Sequence, residues 1–240
     1  MTAVAAAMRM ELSRGRAVTA IVPKNWRSEW SPGVLHLSIT SGGALPARKV
    51  VTATLRCILP IKPPARRMIQ PVLQDDRFLA DVREARTNED LFHLWWLGQS
   101  GFLLQWQGHH LLLDPYLSDS LTRKYAGTDK PHVRMTARVV SPQRLDFIDA
   151  ISSSHNHTDH LDAETVIPIL RKNPGAHLVI PSASRDFVAQ RLGIRADDLL
   201  GVDDGLMVHA GPFRFIGIAS AHEEIERDEL GRCRFLGYVV

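Results

Sequence analysis

Two cysteines, Cys57 and Cys233, are all that the 240 residues contain. They form no metal-ligand spacing and are too few for a disulfide framework, which fits a reducing compartment; a cytoplasmic location is the expectation. No apolar run approaches the roughly 18 residues of a membrane-spanning helix, so no membrane partner is expected. The apolar run from Ala17 to Val22 is too short, and comes too late, for the core of a secretory signal. Acids are nearly missing from the first 70 residues, where eleven Lys or Arg face only Glu11 and Glu29, a balance of +9. The other 18 basic and 24 acidic residues give −6 for residues 71–240, so the overall +3 is made in the N-terminal stretch. The acidic remainder gives no reason to expect a nucleic-acid partner.

Residues 1–70 also lack a consistent hydrophobic period. Ala3 to Ala7, Pro23 to Pro32, Ser41-Gly42-Gly43 and Pro60 to Pro64 break every pattern. The runs Val34 to Ile39 and Val50 to Leu59 could form short strands, with no obvious partner. An Arg-rich, acid-poor leader resembles a transit peptide, but the length and poor helical amphipathicity count against one. The preferred reading is a basic, disordered leader over 1–70, upstream of a natural start at Met68, followed by one domain over 71–240.

Within that domain, Asp75 to Arg86 reads as a short helix with Phe78, Leu79 and Val82 on one face. Leu91 to Leu97, Phe102 to Trp106 and His109 to Leu113 read as a β meander, with a hairpin turn at Gln107-Gly108. Gly98 and Gly101 allow the sharp turn between the first two strands. Leu117 to Leu145 is a long loop-rich segment, either a wall of the substrate path or a surface insertion; His132 within it is a candidate substrate contact. Leu145 to Ser153 reads as a short buried strand, and Ala163 to Lys172 as a helix that stops before Asn173-Pro174-Gly175. A strand at Leu178 to Ile180 follows, then a helix at Ser184 to Leu192 between an N-cap at Ser184 and a stop at Gly193. Leu206 to His209 and Phe213 to Ala219 read as a hairpin about Ala210-Gly211-Pro212. His93, His109, His110 and His209 read as structural or exposed.

The stretch Ser152 to Asp162 carries the chemistry. Three histidines and two aspartates fall between His155 and Asp162, on a loop that leaves a strand and enters a helix. Imidazole and carboxylate are the usual nitrogen and oxygen ligands of zinc and similar divalent ions. Histidines two apart can grip one metal while Asp159 and His160 turn toward a second. A polar loop whose histidines merely cap the next helix is the bland alternative. The order His-x-His-x-Asp-His favours the metal reading.

His155-x-His157-x-Asp159-His160 resembles the signature of the metallo-β-lactamase fold hydrolases. With Gly98-Gln99-Ser100-Gly101-Phe102 and Leu113-Asp114-Pro115-Tyr116-Leu117 before it, the sequence is similar to the L-ascorbate-6-phosphate lactonase-like branch. The resemblance runs from about Pro71 to Val240. It implies an α/β fold, an αβ/βα sandwich of two similar halves, of which this chain carries the N-terminal half and the start of the second. It implies that Asp114 orients the histidine loop from behind the ligands. It also makes His222, in Ala221-His222-Glu223, the third ligand of the first metal beside His155 and His157.

The family's second half supplies a bridging aspartate and a further histidine. This sequence ends at Gly237-Tyr238-Val239-Val240 with neither, so the expectation is a fragment, a frameshifted product or half of a split protein. Its first metal site would be complete, while Asp159 and His160 would leave the second short of partners. The implied activity is metal-dependent hydrolysis of a sugar-acid lactone or related ester, with zinc or manganese holding a hydroxide and Asp159 acting as ligand and proton acceptor. The partner would be a small molecule, with homo-oligomerisation left open. A phosphodiesterase of the same fold and an inactive metal-binding remnant are the rival readings.

Overall fold

The computed structural model describes residues 68–240, together with the backbone of three short strands, β1 (Met10–Ser13), β2 (Ala17–Ala20) and β3 (Leu37–Thr40). Helix α1 (Asp75–Ala85) leads into an antiparallel meander, β4 (Leu91–Trp96), β5 (Phe102–Trp106) and β6 (His109–Leu113). Strands β7 (Ala150–Ser152), β8 (His177–Pro181) and β9 (Leu199–Val202) extend the sheet in parallel from β6. A short helix, α2 (Ser120–Tyr125), lies between β6 and β7. Helices α3 (Ala163–Lys172) and α4 (Arg185–Leu192) make the crossovers between the parallel strands. The seven-stranded order is β1-β4-β5-β6-β7-β8-β9. A second, antiparallel sheet holds β10 (Met207–Ala210), β11 (Phe213–Ala219) and β12 (Leu236–Val239).

Side-chain alternation on the meander explains the layers, because successive strand residues point to opposite faces. Trp95, Leu103 and Leu112 share one face and pack with Phe78, Val82, Val166, Ile169 and Val188 of the helices. Phe92, Leu104, Leu111 and Leu113 share the other face and pack with Phe213, Phe215 and Leu236 of the small sheet. The result is helices, sheet, sheet, with two apolar cores back to back. On the far side of the small sheet Met207 and Ile218 are exposed.

Most expected elements appear within a residue or two of their predicted bounds, α1, the meander, α3, α4 and the β10–β11 hairpin among them. Gly193 ends α4 with φ +65°, the left-handed C-cap expected of glycine. At Gly98, φ is +85° and an added Cβ would lie 2.4 Å from Thr136 Oγ1, so the turn requires glycine. The strand expected from Leu145 to Ser153 is shorter, because Ile148 N donates to Asn173 Oδ1 rather than to a neighbouring strand. Just upstream, Pro142 to Arg144 forms a single helical turn. Strand β9 and helix α2 had no counterpart in the sequence reading.

The expectation of a disordered leader lies for most of its length outside the described residues. Of the strands that are described there, β1 pairs antiparallel with β4, and β2 pairs with β3. From Met68 the chain is tied to the long loop, since Ile69 N donates to Met135 O and Ile69 O accepts from Ala137 N, both at 2.8 Å.

Candidate metal centre

Strand β7 ends at Ser152 and the chain turns out of the sheet before α3 begins, at the carboxyl edge of the parallel strands. Ser153 is still held in the sheet by its N–H to Val179 O (2.9 Å). Beyond it the loop collects the histidines. The rings of His155 and His160 have centroids 4.1 Å apart, and those of His155 and His157 4.6 Å apart. His222 arrives from the other sheet, in the connection after β11, and lies 5.2 Å from His157 and 6.5 Å from His155. His155 is buried, whereas His157 and His222 are exposed, so the cluster opens on one side to solvent.

Asp114 sits behind the loop at the end of β6, in a left-handed backbone conformation (φ +44°). Its Oδ1 accepts from Ser154 N (2.6 Å), and its Oδ2 accepts from Ser154 Oγ (2.6 Å). His160 Nδ1 lies 2.7 Å from the same Oδ2, which turns His160 Nε2 outward, 3.8 Å from Asp159 Oδ2. Burial alone would raise the Asp114 carboxyl; His160 and Ser154 outweigh it and hold the group below the ordinary range. Burial likewise works against a charge on His160, but Asp114 prevails and raises its pKa. At His155 the pull of Asp114 is too weak to prevail. Burial, followed by the neighbouring His160, pushes the His155 pKa down to about 3, so it is a neutral imidazole at ordinary pH. Burial also lowers His157.

The loop is pinned from several sides. Ser100 Oγ, in the Gly98–Gly101 turn, donates to Asp159 O (2.5 Å). Leu236 N and Tyr238 OH, on β12, donate to Ser154 O (3.0 Å) and Ser153 O (2.8 Å). Asp162 receives Thr165 Oγ1 at 2.6 Å and Ser120 Oγ at 2.9 Å at the start of α3. Arg191, near the end of α4, donates through Nη1 to Asn156 O (2.5 Å) and Leu161 O (3.2 Å).

The donor set suits a divalent metal: neutral imidazoles, a carboxylate, and a second carboxylate orienting one ring from behind, as ligand histidines require. Among the described residues no three His, Cys, Asp or Glu side chains are yet drawn onto one metal-sized point. The groups are gathered around the position rather than closed on it. Sequence reasoning named His155, His157, Asp159, His160, His222 and Asp114, and the fold brings all six to this edge. It missed Phe235, whose ring packs against His155 (5.0 Å), His222 (5.7 Å) and His157 (6.0 Å). A lone aromatic 80 positions from the motif carries no local signal. Arg191 escaped for the same reason, while Ser100 and Tyr238 lie in segments the sequence reading quoted without giving either side chain a role.

A cleft of about 300 Å³ opens over the cluster, lined by Asn156, His157, His222, Glu226, Arg234 and Phe235. A larger one, about 800 Å³, lies at the opposite end of the sheet, beside His109, His110, Asp149 and Lys172, and holds none of the motif residues. Of the four histidines read as structural or exposed, His93 and His110 are buried and His109 and His209 are exposed. His132 packs edge-on to Tyr116 and lies within electrostatic reach of Asp159.

The profile of the beta-lactamase superfamily domain matches residues 93–231, more than half of the chain. The chain belongs to the beta-lactamase superfamily. Its layered α/β architecture is the metallo-β-lactamase fold. A UPF0173 metal-dependent hydrolase from Hyperthermus butylicus is 29% identical over 119 residues, 50% of this chain and 42% of that protein. A protein from Escherichia coli named "Probable L-ascorbate-6-phosphate lactonase UlaG" is 24% identical over 107 residues, 38% of this chain and 30% of its own length. The chain therefore spans less than half the length of these curated relatives. Among solved structures, the diiron beta-hydroxylase CmlA from Streptomyces venezuelae is 22% identical, with 60% of this chain and 26% of that chain covered and a TM-score of 0.43.

Proposed function

We propose that this chain is the metal-binding part of a divalent-metal-dependent hydrolase. His155, His157 and His222 would hold one metal, and Asp159 and His160 would contribute to a second. The observation that supports this is the convergence of four imidazoles at one edge of the sheet, one of them buried and neutral and one aimed by Asp114. The names of the relatives point the same way. When bound, the metal would supply Lewis acidity and lower the pKa of a coordinated water from 15.7 toward roughly 7.

The remaining work falls to the chain itself. His155, neutral because buried, offers its nitrogen lone pair without first losing a proton. Asp114 fixes the ring plane of His160, so that Nε2 and not Nδ1 faces the cluster. Asp159, its carbonyl fixed by Ser100 Oγ, presents a carboxylate beside His160 Nε2 and is placed to accept the proton of the attacking water. Phe235 forms an apolar wall, and Glu226 and Arg234 place charge at the cleft mouth. The substrate class we assign is a cyclic ester of a sugar acid, on the strength of the motif and of the relative named as a lactonase. Zinc or manganese suits the mixed nitrogen and oxygen donors.

Metal content of the purified chain and its variants tests the assignment. His155→Ala and His157→Ala should each abolish the first metal, because three protein ligands are the minimum of a typical catalytic zinc site. Asp159→Ala should leave that first metal largely in place. Equal metal loss in all three would sink the two-site assignment.

A further inference from the structure

The loop that carries His155, His157, Asp159 and His160 closes on itself through a single carbonyl. His160 N and Leu161 N both donate to His157 O, at 3.0 and 2.8 Å. Those bonds shape the inner turn but leave the carbonyls at its two flanks, Asn156 O and Leu161 O, pointing toward α4. There one guanidinium takes both, Arg191 Nη1 donating at 2.5 Å and 3.2 Å. Asn156 precedes His157, and Leu161 follows His160, so the two contacts bracket the three ligand candidates of the turn.

The arginine is itself held. It stands one helical turn beyond Phe187, and its guanidinium carbon lies 4.3 Å from the centre of that ring, the geometry of a cation–π contact. Gly193 ends the helix two residues later, so Arg191 belongs to the last turn, closest to the loop.

Resting on the proposed metal centre, we infer that Arg191 is a positioning residue for it: a clasp that sets the separation of His157 from Asp159 and His160. Arg191 touches none of the ligand side chains through a hydrogen bond; it acts through the backbone between them. Its charge opposes a dication, and its one favourable electrostatic effect is a small lowering of the His157 pKa, behind burial and the other histidines. With zinc binding measured above about pH 7, where that effect is spent, the gain in affinity from its presence is positional. Partners that orient ligands from outside the coordination shell are typically worth roughly 10- to 100-fold in affinity. The same helix supplies a matched control. Arg185 Nη1 also bridges two carbonyls, Ala196 O and Leu199 O, both at 2.7 Å, but away from the metal loop.

The experiment compares wild type, Arg191→Ala, Arg191→Lys and Arg185→Ala by two readouts. One is the zinc dissociation constant against a chromogenic chelator. The other is amide hydrogen exchange of the metal-free protein at His160 and Leu161. Arg191→Ala should weaken zinc binding about 10- to 100-fold and speed exchange at those two amides. Arg191→Lys, which can keep one of the two bonds, should fall between. Arg185→Ala should change neither readout, even if it lowers the melting temperature. Unchanged or tighter zinc binding in Arg191→Ala, unchanged exchange at His160 and Leu161, or an equal loss in Arg185→Ala would overturn the inference. If Arg191→Ala does not fold, Arg191→Lys is judged by the same two readouts. If the wild type binds no metal, the metal-centre reading fails and the exchange data alone decide the clasp.

Discussion

Asp114 shows how much one side chain settles. Its two oxygens take Ser154 N, Ser154 Oγ and His160 Nδ1, so the backbone of the loop and the tautomer of a ligand candidate depend on one buried carboxylate. In Asp114→Asn an amide NH2 replaces one acceptor. It cannot serve a protonated Nδ1, and the other tautomer would turn the His160 lone pair away from the cluster. The variant should bind metal roughly 10- to 100-fold more weakly. It should also lose stability by about 1–3 kcal/mol, the usual cost of leaving a buried polar group unsatisfied. Chelator competition and a denaturant melt of the metal-free protein check the two parts separately. An Asp114→Asn variant with wild-type affinity would show that the carboxylate is not what aims His160.

The meander carries a second effect, at the level of the sheet. Gln105 pairs with His93 on one side and with His110 on the other, so three buried polar side chains cross β4, β5 and β6 on the helix-facing side. Burial pushes the His110 pKa down to about 4; Asp149 pulls it up, while Arg86 and His109 push it down further. In the unfolded chain the same histidine titrates near 6.5. Between those values the unfolded state binds more protons than the folded one, so stability rises with pH from about 4 to about 6.5 and is lost as pH falls through that window. The contribution is at most about 3 kcal/mol. His110→Met should reduce the slope of the stability profile over that range without abolishing it, because His155, lowered to about 3, acts in the same window. It should leave the profile parallel to wild type above about pH 7. Urea melts at half-unit intervals would decide, and an undiminished acid slope in the variant would assign the effect elsewhere.

At this level the sequence was readable wherever the pattern was local. The meander declared itself through apolar runs divided by Gly98-Gln99 and Gln107-Gly108, and α4 through Gly193. Strand β9 did not, because Leu199-Leu200-Gly201-Val202 is short and gains its partner, β8, only after a crossover. The segment from Leu145 to Asp149 looked like strand because it is apolar, but Asn173 captured the N–H of Ile148 from 25 positions away. The site divides in the same way. Its ligand candidates crowd into one loop, whereas Phe235, Arg191 and Tyr238 reach it from elements that only the fold brings near.

Across the whole molecule, the proposed ligands come from both sheets. His155 and His157 leave β7 of the large sheet, while His222 leaves β11 of the small one. The two layers meet through an apolar core and, at this edge, through Leu236 N to Ser154 O and Tyr238 OH to Ser153 O. A metal held by all three histidines would be a further tie between the layers, present only in the folded chain. Binding confined to the folded state stabilises by RT ln(1 + [L]/Kd), about 2.7 kcal/mol at a free metal concentration 100 times Kd. Excess zinc should therefore raise the melting temperature, and EDTA should return it to the metal-free value. His222→Ala is the informative variant. The side chain is exposed, so its removal should scarcely alter the metal-free melt, surface changes usually staying within about 0.5 kcal/mol. The variant should nonetheless lose most of the zinc-induced rise, because two histidines from a single loop neither complete the site nor join the layers. Calorimetric scans of wild type and His222→Ala, each with zinc and with EDTA, give the four numbers needed. A full zinc-induced rise in His222→Ala would remove His222 from the ligand set and leave the metal, if bound, to the β7 loop alone.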